Sequence, residues 1–133
     1  MTTGFGASFS IAVKQHISPM RVIVAGSSWR LLGSRRAAET LLQAMSGDNE
    51  QNRMLAGMAL VKAGQRSFDL IEKKIAAGQA SAPVIRLLPD IGGAKARPVL
   101  SKIADGEPGE ITDAARECIS LLDRIDALDK DDS

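Results

Sequence analysis

The sequence predicts an all-α fold, an α-solenoid of about four helical hairpins. Apolar residues recur three and four apart, as one helix face requires. Glycines punctuate the chain at a nearly constant interval: Gly33, Gly64 and Gly92 are 31 and 28 residues apart, and Gly47, Gly78 and Gly106 repeat both intervals. After each terminal glycine comes an apolar pair or near-pair, Leu41-Leu42, Leu70-Ile71 and Val99-Leu100. Self-similarity at such a period marks a solenoid, whose repeats bury their apolar faces only by stacking on neighbours. A helical bundle with evenly spaced turns is the competing architecture.

In chain order, residues 5–33 read as a degenerate capping hairpin. Phe5, Phe9, Val13 and Ile17 sit four apart, and Ser18-Pro19 is a cap followed by proline at the first helical position. The helix then runs to Leu32, with Val22, Val24, Ala25, Trp29 and Leu32 expected in the core. Residues 34–64 form the clearest hairpin. Gly33 stops one helix, Ser34 caps the next, and Ala37, Leu41, Ala44 and Met45 mark its buried face. Ser46-Gly47-Asp48-Asn49 is a turn, Leu55, Ala56, Ala59, Leu60 and Ala63 mark the return helix, and Gly64 ends it. In residues 65–92, Ser67 is the cap candidate, Leu70, Ile71 and Ile75 are core, and Lys73-Lys74 face water. Pro89 should kink or stop the return helix, since proline removes a backbone donor and crowds the preceding turn. Residues 93–128 supply the last hairpin, with Pro108 in the first turn of its return helix, which ends at about Leu128; residues 129–133 are an acidic, solvated tail that should fray.

Ile91-Gly92-Gly93-Ala94-Lys95-Ala96-Arg97-Pro98-Val99-Leu100 places a basic residue, alanine, proline and an apolar stretch after a closing glycine. Asp48 in the turn, Arg53 entering the second helix, Leu55-Ala56-Gly57-Met58-Ala59-Leu60, and Asp113-Ala114-Ala115-Arg116-Glu117 fit the same pattern. In these features residues 19–125 resemble the short HEAT-like repeat family, of the type found in bilin lyases. The resemblance implies a right-handed α-α superhelix whose second helices line a concave face. It is specific for fold, and fold alone does not assign function.

At 133 residues one domain has room for a continuous core. Aromatics make up only 3%, which suits Ala/Leu helix packing and argues against a base-stacking surface. A single cysteine excludes an internal disulfide and points to a reducing, cytoplasmic setting. The nine-residue apolar run near the N-terminus lacks a basic segment ahead of it and is too short to span a bilayer.

Charge is segregated. Residues 1–38 carry five bases and no acid, whereas residues 105–133 carry ten acids and three bases. One histidine, His16, rules out a multi-histidine metal site within one chain. Cys118, among core residues, reads as a buried, inert thiol. Asp126 and Asp129 read as solvated. Asp105-Gly106-Glu107 lacks the spaced oxygens of a calcium loop, and Gly4-Phe5-Gly6 and Gly92-Gly93 follow no strand that would make them phosphate loops. Arg35-Arg36 is a local basic pair, but the acidic last repeat argues against nucleic acid. No catalytic residue, cofactor or metal is expected.

Taking the closing glycines as register, the outward positions on the second helices are Ile23, Ser27 and Leu31; Met54, Met58 and Val61; Ala82, Arg86 and Asp90; and Asp113, Glu117 and Leu121. The first half of this lane is apolar and the second half charged. An apolar lane in water often marks an interaction site, and methionine adapts to a partner's shape. The expectation is a non-enzymatic protein-interaction module in which Ile23, Leu31, Met54, Met58 and Val61 receive an apolar partner segment. Arg86 and Glu117 would orient that segment. Residues 5–17 folding back over the lane is a further arrangement. The alternatives are head-to-tail self-association, through the opposed end charges, and a bilin-lyase-type subunit implied by the resemblance.

Overall fold

The computed structural model describes residues 17–132, with side chains as far as residue 130. The expected helix through Phe5, Phe9 and Val13, and His16, lie outside the described residues. Among the described residues the regular structure is all helical, with no strand: α1 (Pro19–Leu32), α2 (Arg35–Ser46), α3 (Glu50–Lys62), α4 (Gln65–Ala76), α5 (Ala82–Ile85), α6 (Leu88–Gly92), a 3-10 turn (Gly93–Lys95), α7 (Ala96–Ala104) and α8 (Glu110–Asp132). The chain divides into two compact units, Met1–Leu60 and Val61–Ser133.

In the first unit the helix ends follow local chemistry. Ser18 accepts from the Arg21 amide and Pro19 occupies the first turn, where its missing N–H costs nothing. Gly33 adopts φ 65°, which a Cβ would disfavour, and its N–H closes α1 on Trp29. Ser34 Oγ then accepts from Ala37 N at 3.2 Å to start α2. Losing this cap should cost about 1 kcal/mol. In urea unfolding, Ser34→Ala is expected to show that loss while Ser34→Asp retains most of the stability.

The inward face of α2 carries Ala37, Ala38, Leu41, Ala44 and Met45, all buried against α1 or beneath it. On α1 the buried face is Val22, Ala25, Gly26 and Trp29, spaced by three, four and seven. Val24 and Leu32, expected in the core, are exposed at 57% and 80%. At 3.6 residues per turn both fall away from the line through Val22 and Trp29. Helices α1 and α3 touch at small residues: a Cβ placed on Gly26 would stand 2.8 Å from Ala59 Cβ.

Two side chains fix the start of α3. Asn49 Oδ1 accepts from Asn52 N at 2.9 Å, a cap that the turn cluster concealed. Arg53 Nη1 donates to Gly47 O at 2.7 Å and so ties the return helix to the turn. Asn52 is buried and its Nδ2 donates to Ile17 O at 2.6 Å.

In the second unit α4 starts at Gln65, with Gly64 as its N-cap at φ 60°. Ser67, read as a cap, is instead a fully buried residue of the first turn, because the helix begins earlier than the serine. Phe68, Leu70 and Ile71 are buried, whereas Ile75 and Lys74 are half-buried. The Phe68 ring lies over Gly92, where a Cβ would come within 2.6 Å of Cε2.

The return segment is broken, as Pro89 predicts: α5 ends at Ile85 and α6 begins at Leu88, with Pro89 in its first turn. Ile85 and Leu88, on either side of the break, are both fully buried. Helix α8 packs on α7, α5 and α6 through Ala114, Ala115, Cys118 and Leu122. Arg116 Nη2 donates to Ala104 O at 3.3 Å, so this return helix is tied back by an arginine as α3 is by Arg53. Thr112 Oγ1 donates to the Glu107 carbonyl.

Two expectations fail at the C-terminal end. Pro108 lies in the turn rather than in the helix, which begins at Glu110. The tail beyond residue 128 is helical to Asp132. Part of the reason is Arg97, which bridges Asp123 at 2.7 Å and Asp126 at 2.9 Å and secures the preceding turns to α7. Asp126 is therefore paired as well as solvated.

Candidate interaction surface

The sequence-predicted lane falls partly in each unit. Ile23, Leu31, Met54 and Met58 belong to the first, and Val61, Arg86 and Glu117 to the second. In the first unit Ile23 and Leu31 on α1, and Met54 and Met58 on α3, are exposed at 49%, 69%, 61% and 51%. They come from two helices that meet at Gly26 and Ala59, and Met58 is the immediate neighbour of that crossing. Four large apolar side chains are thus held in water by helices whose opposite faces are buried. Ser27, between Ile23 and Leu31 in the same register, is exposed as expected.

In the second unit Val61 is half-buried. Arg86 Nε and Glu117 Oε2 pair with each other at 3.2 Å, both largely exposed. Asp90, Asp113 and Leu121 are exposed, but Ala82 is buried. Ala82 stands at the first position of α5, where its short side chain is covered, whereas Arg86, whose amide donates to the Ala82 carbonyl one turn later, carries a long side chain into water; Asp90, beyond the break, is exposed too.

Cys118 is buried, and its Sγ donates to Ile85 O at 3.7 Å. Burial pushes its pKa up; nearby Arg86 works in the opposite direction, and Glu117 and Asp90 add to the rise. The thiol is therefore a poor nucleophile. Among the described residues no three His, Cys, Asp or Glu side chains converge on a metal site, and no helix is long and apolar enough to cross a membrane.

The sequence reading missed a cleft of about 350 Å³ between α1 and α2. Met20, Val24, Ala25 and Ala37 supply its apolar lining, and Arg21 and Arg36 its charge. No acidic residue lines it. Met20 and Val24 carry its signal in the sequence, but helical spacing also admits Val24 to the core.

No protein-family model matches the chain, and no curated protein or solved structure shows significant similarity to it.

Proposed function

We propose that this protein is a non-enzymatic interaction module, a small HEAT-like α-solenoid that receives an apolar segment of a protein partner. The observation that carries this reading is the exposure of Ile23, Leu31, Met54 and Met58 on two helices that meet through small residues. Scattered apolar side chains are ordinary on a protein surface, but a group with two flexible methionines matches adaptable binding surfaces. The repeat reading draws support from Arg53 and Arg116, which tie separate return helices to preceding backbone carbonyls. Arg86 and Glu117 satisfy each other, so a partner that used either would first have to open a 3.2 Å bridge.

The test compares affinity capture from native extract by the tagged protein and by a Met54→Asp/Met58→Asp variant of unchanged helicity. A partner retained by the parent and reduced about tenfold or more in the variant is the expected result, since burying an unpaired charge costs well over 1.4 kcal/mol. Equal capture by both would remove this surface from the interaction.

A further inference from the structure

The chain holds two exposed surfaces that carry large apolar side chains, one in each unit, the first with two arginines and the second ending in a turn of acidic sequence. The first is the cleft between α1 and α2, lined by Met20, Val24, Ala25 and Ala37, with Arg21 and Arg36 beside them. Met20 and Val24 are exposed, and among the described residues no acid pairs with Arg21 or Arg36. The first turns of both helices contribute to the lining, which adds the positive ends of two helix dipoles to the arginine charge.

The second surface is the outer face of α8. Leu121, Ile125 and Leu128 are spaced by four and three, so they form one stripe, and all three are exposed. Asp123 and Asp126, held by Arg97, lie on the far side of the helix from that stripe. The stripe is therefore turned away from α7, the helix that carries Arg97. It runs past Arg124, the neighbour of Ile125, toward a last turn whose sequence, Asp129-Lys130-Asp131-Asp132, carries three acids and one base.

We infer that the occupant of the α1–α2 cleft is α8 of a second copy of this chain. The aliphatic stripe would enter the cleft between Met20 and Val24, and the acidic end of the helix would meet Arg21 and Arg36. The contact joins different surfaces on the two molecules, so it is heterologous: the joined pair keeps one free cleft on one copy and one free helix on the other, and assembly continues as a chain unless it closes into a ring. This inference does not depend on the partner face of Ile23, Leu31, Met54 and Met58, which uses other residues.

The experiment is sedimentation equilibrium of the full chain across a range of concentrations and salt. Average mass should rise with concentration at low salt. Association should weaken about tenfold or more between 0.05 M and 0.5 M salt, because exposed charges are screened within a few ångströms there.

Three variants locate the contact. Arg21→Glu/Arg36→Glu places acids in first helical turns, where they favour folding, and should be monomeric. Asp129→Arg/Asp132→Arg should also be monomeric. An equimolar mixture of the two should assemble again, because each then offers the charge that the other's cleft or helix lacks. Ile125→Asp should abolish assembly without reducing helicity. The Met54→Asp/Met58→Asp variant should assemble like the parent, which separates this inference from the function proposed above.

A parent protein that stays monomeric at low salt up to millimolar concentration would overturn the inference and leave the cleft to residues 1–16 or to another protein. So would assembly that the cleft variant leaves unchanged, or a mixture of the two charge variants that remains monomeric.

Discussion

Leu41→Ala is expected to destabilise the first unit strongly, lowering unfolding free energy by about 2–5 kcal/mol. Leu41 is fully buried at the centre of the inward face of α2. Its flanking buried residues there are Ala37, Ala38, Ala44 and Met45. The alanines cannot extend into a vacated space and Met45 is the one flanking side chain on α2 able to move toward it, so the loss should fall within that range rather than near zero. Leu32→Ala is the matched control. Leu32 is equally apolar but 80% exposed, and its truncation should change stability by no more than about 0.5 kcal/mol. Urea unfolding of both variants, with the slope unchanged, makes the comparison. Similar losses in the two would contradict the register assigned to α1 and α2.

Gly26→Ala should lower stability by about 1–3 kcal/mol, although alanine is the better helix former. The added methyl would lie 2.8 Å from Ala59 Cβ, closer than two carbon atoms can approach without movement. Neither group is the end of a flexible side chain, so relief requires the helix backbones to part. Gly26→Ala combined with Ala59→Gly should recover much of the loss, because one methyl then occupies the crossing in place of two. Thermal unfolding of the four members of this cycle would show a coupling of roughly 1 kcal/mol or more. Additive effects would mean that α1 and α3 do not touch there. Ser27→Ala, one residue along on the exposed side, serves as the silent control.

What was legible in the sequence was local. Ser18-Pro19, Gly33 and Ser34 act within one turn, and each is found in the expected role. The face Ala37, Leu41, Ala44 and Met45 was legible because α2 alternates cleanly between apolar and polar sides. Helix α1 offers no such contrast: Met20, Val22, Ile23, Val24, Leu31 and Leu32 surround it with apolar residues. A spacing rule then admits several faces, including one with Val24 and Leu32 inside, and does not distinguish the cleft beside Val24 from core. Ile23, Leu31, Met54 and Met58 were correctly placed outward, since each pair lies within one unbroken helix. Ala82 differs because spacing ignores side-chain length: one turn before Arg86, its single methyl is covered where a long side chain would reach water. Ser67 shows a different failure. Serine is both a good cap and a small residue for a tight buried turn, and composition cannot separate the two uses.

Proline at position 89 has no N–H with which to reach Ile85, the residue four before it, so the backbone leaves that buried carbonyl without its helical donor. The Cys118 thiol, 33 residues further along, is the group that reaches it. A sulfur atom thus stands in for a missing peptide nitrogen. The substitution has a consequence in time: a ribosome releases Pro89 well before Cys118, and during that interval the Ile85 carbonyl can only be held by water. The two short helices reach their dry, buried state when α8 arrives. The last helix to be synthesised is then a condition for completing an earlier one, and truncation before Cys118 should leave the segment from Ala82 to Gly92 hydrated and quick to exchange its amide hydrogens.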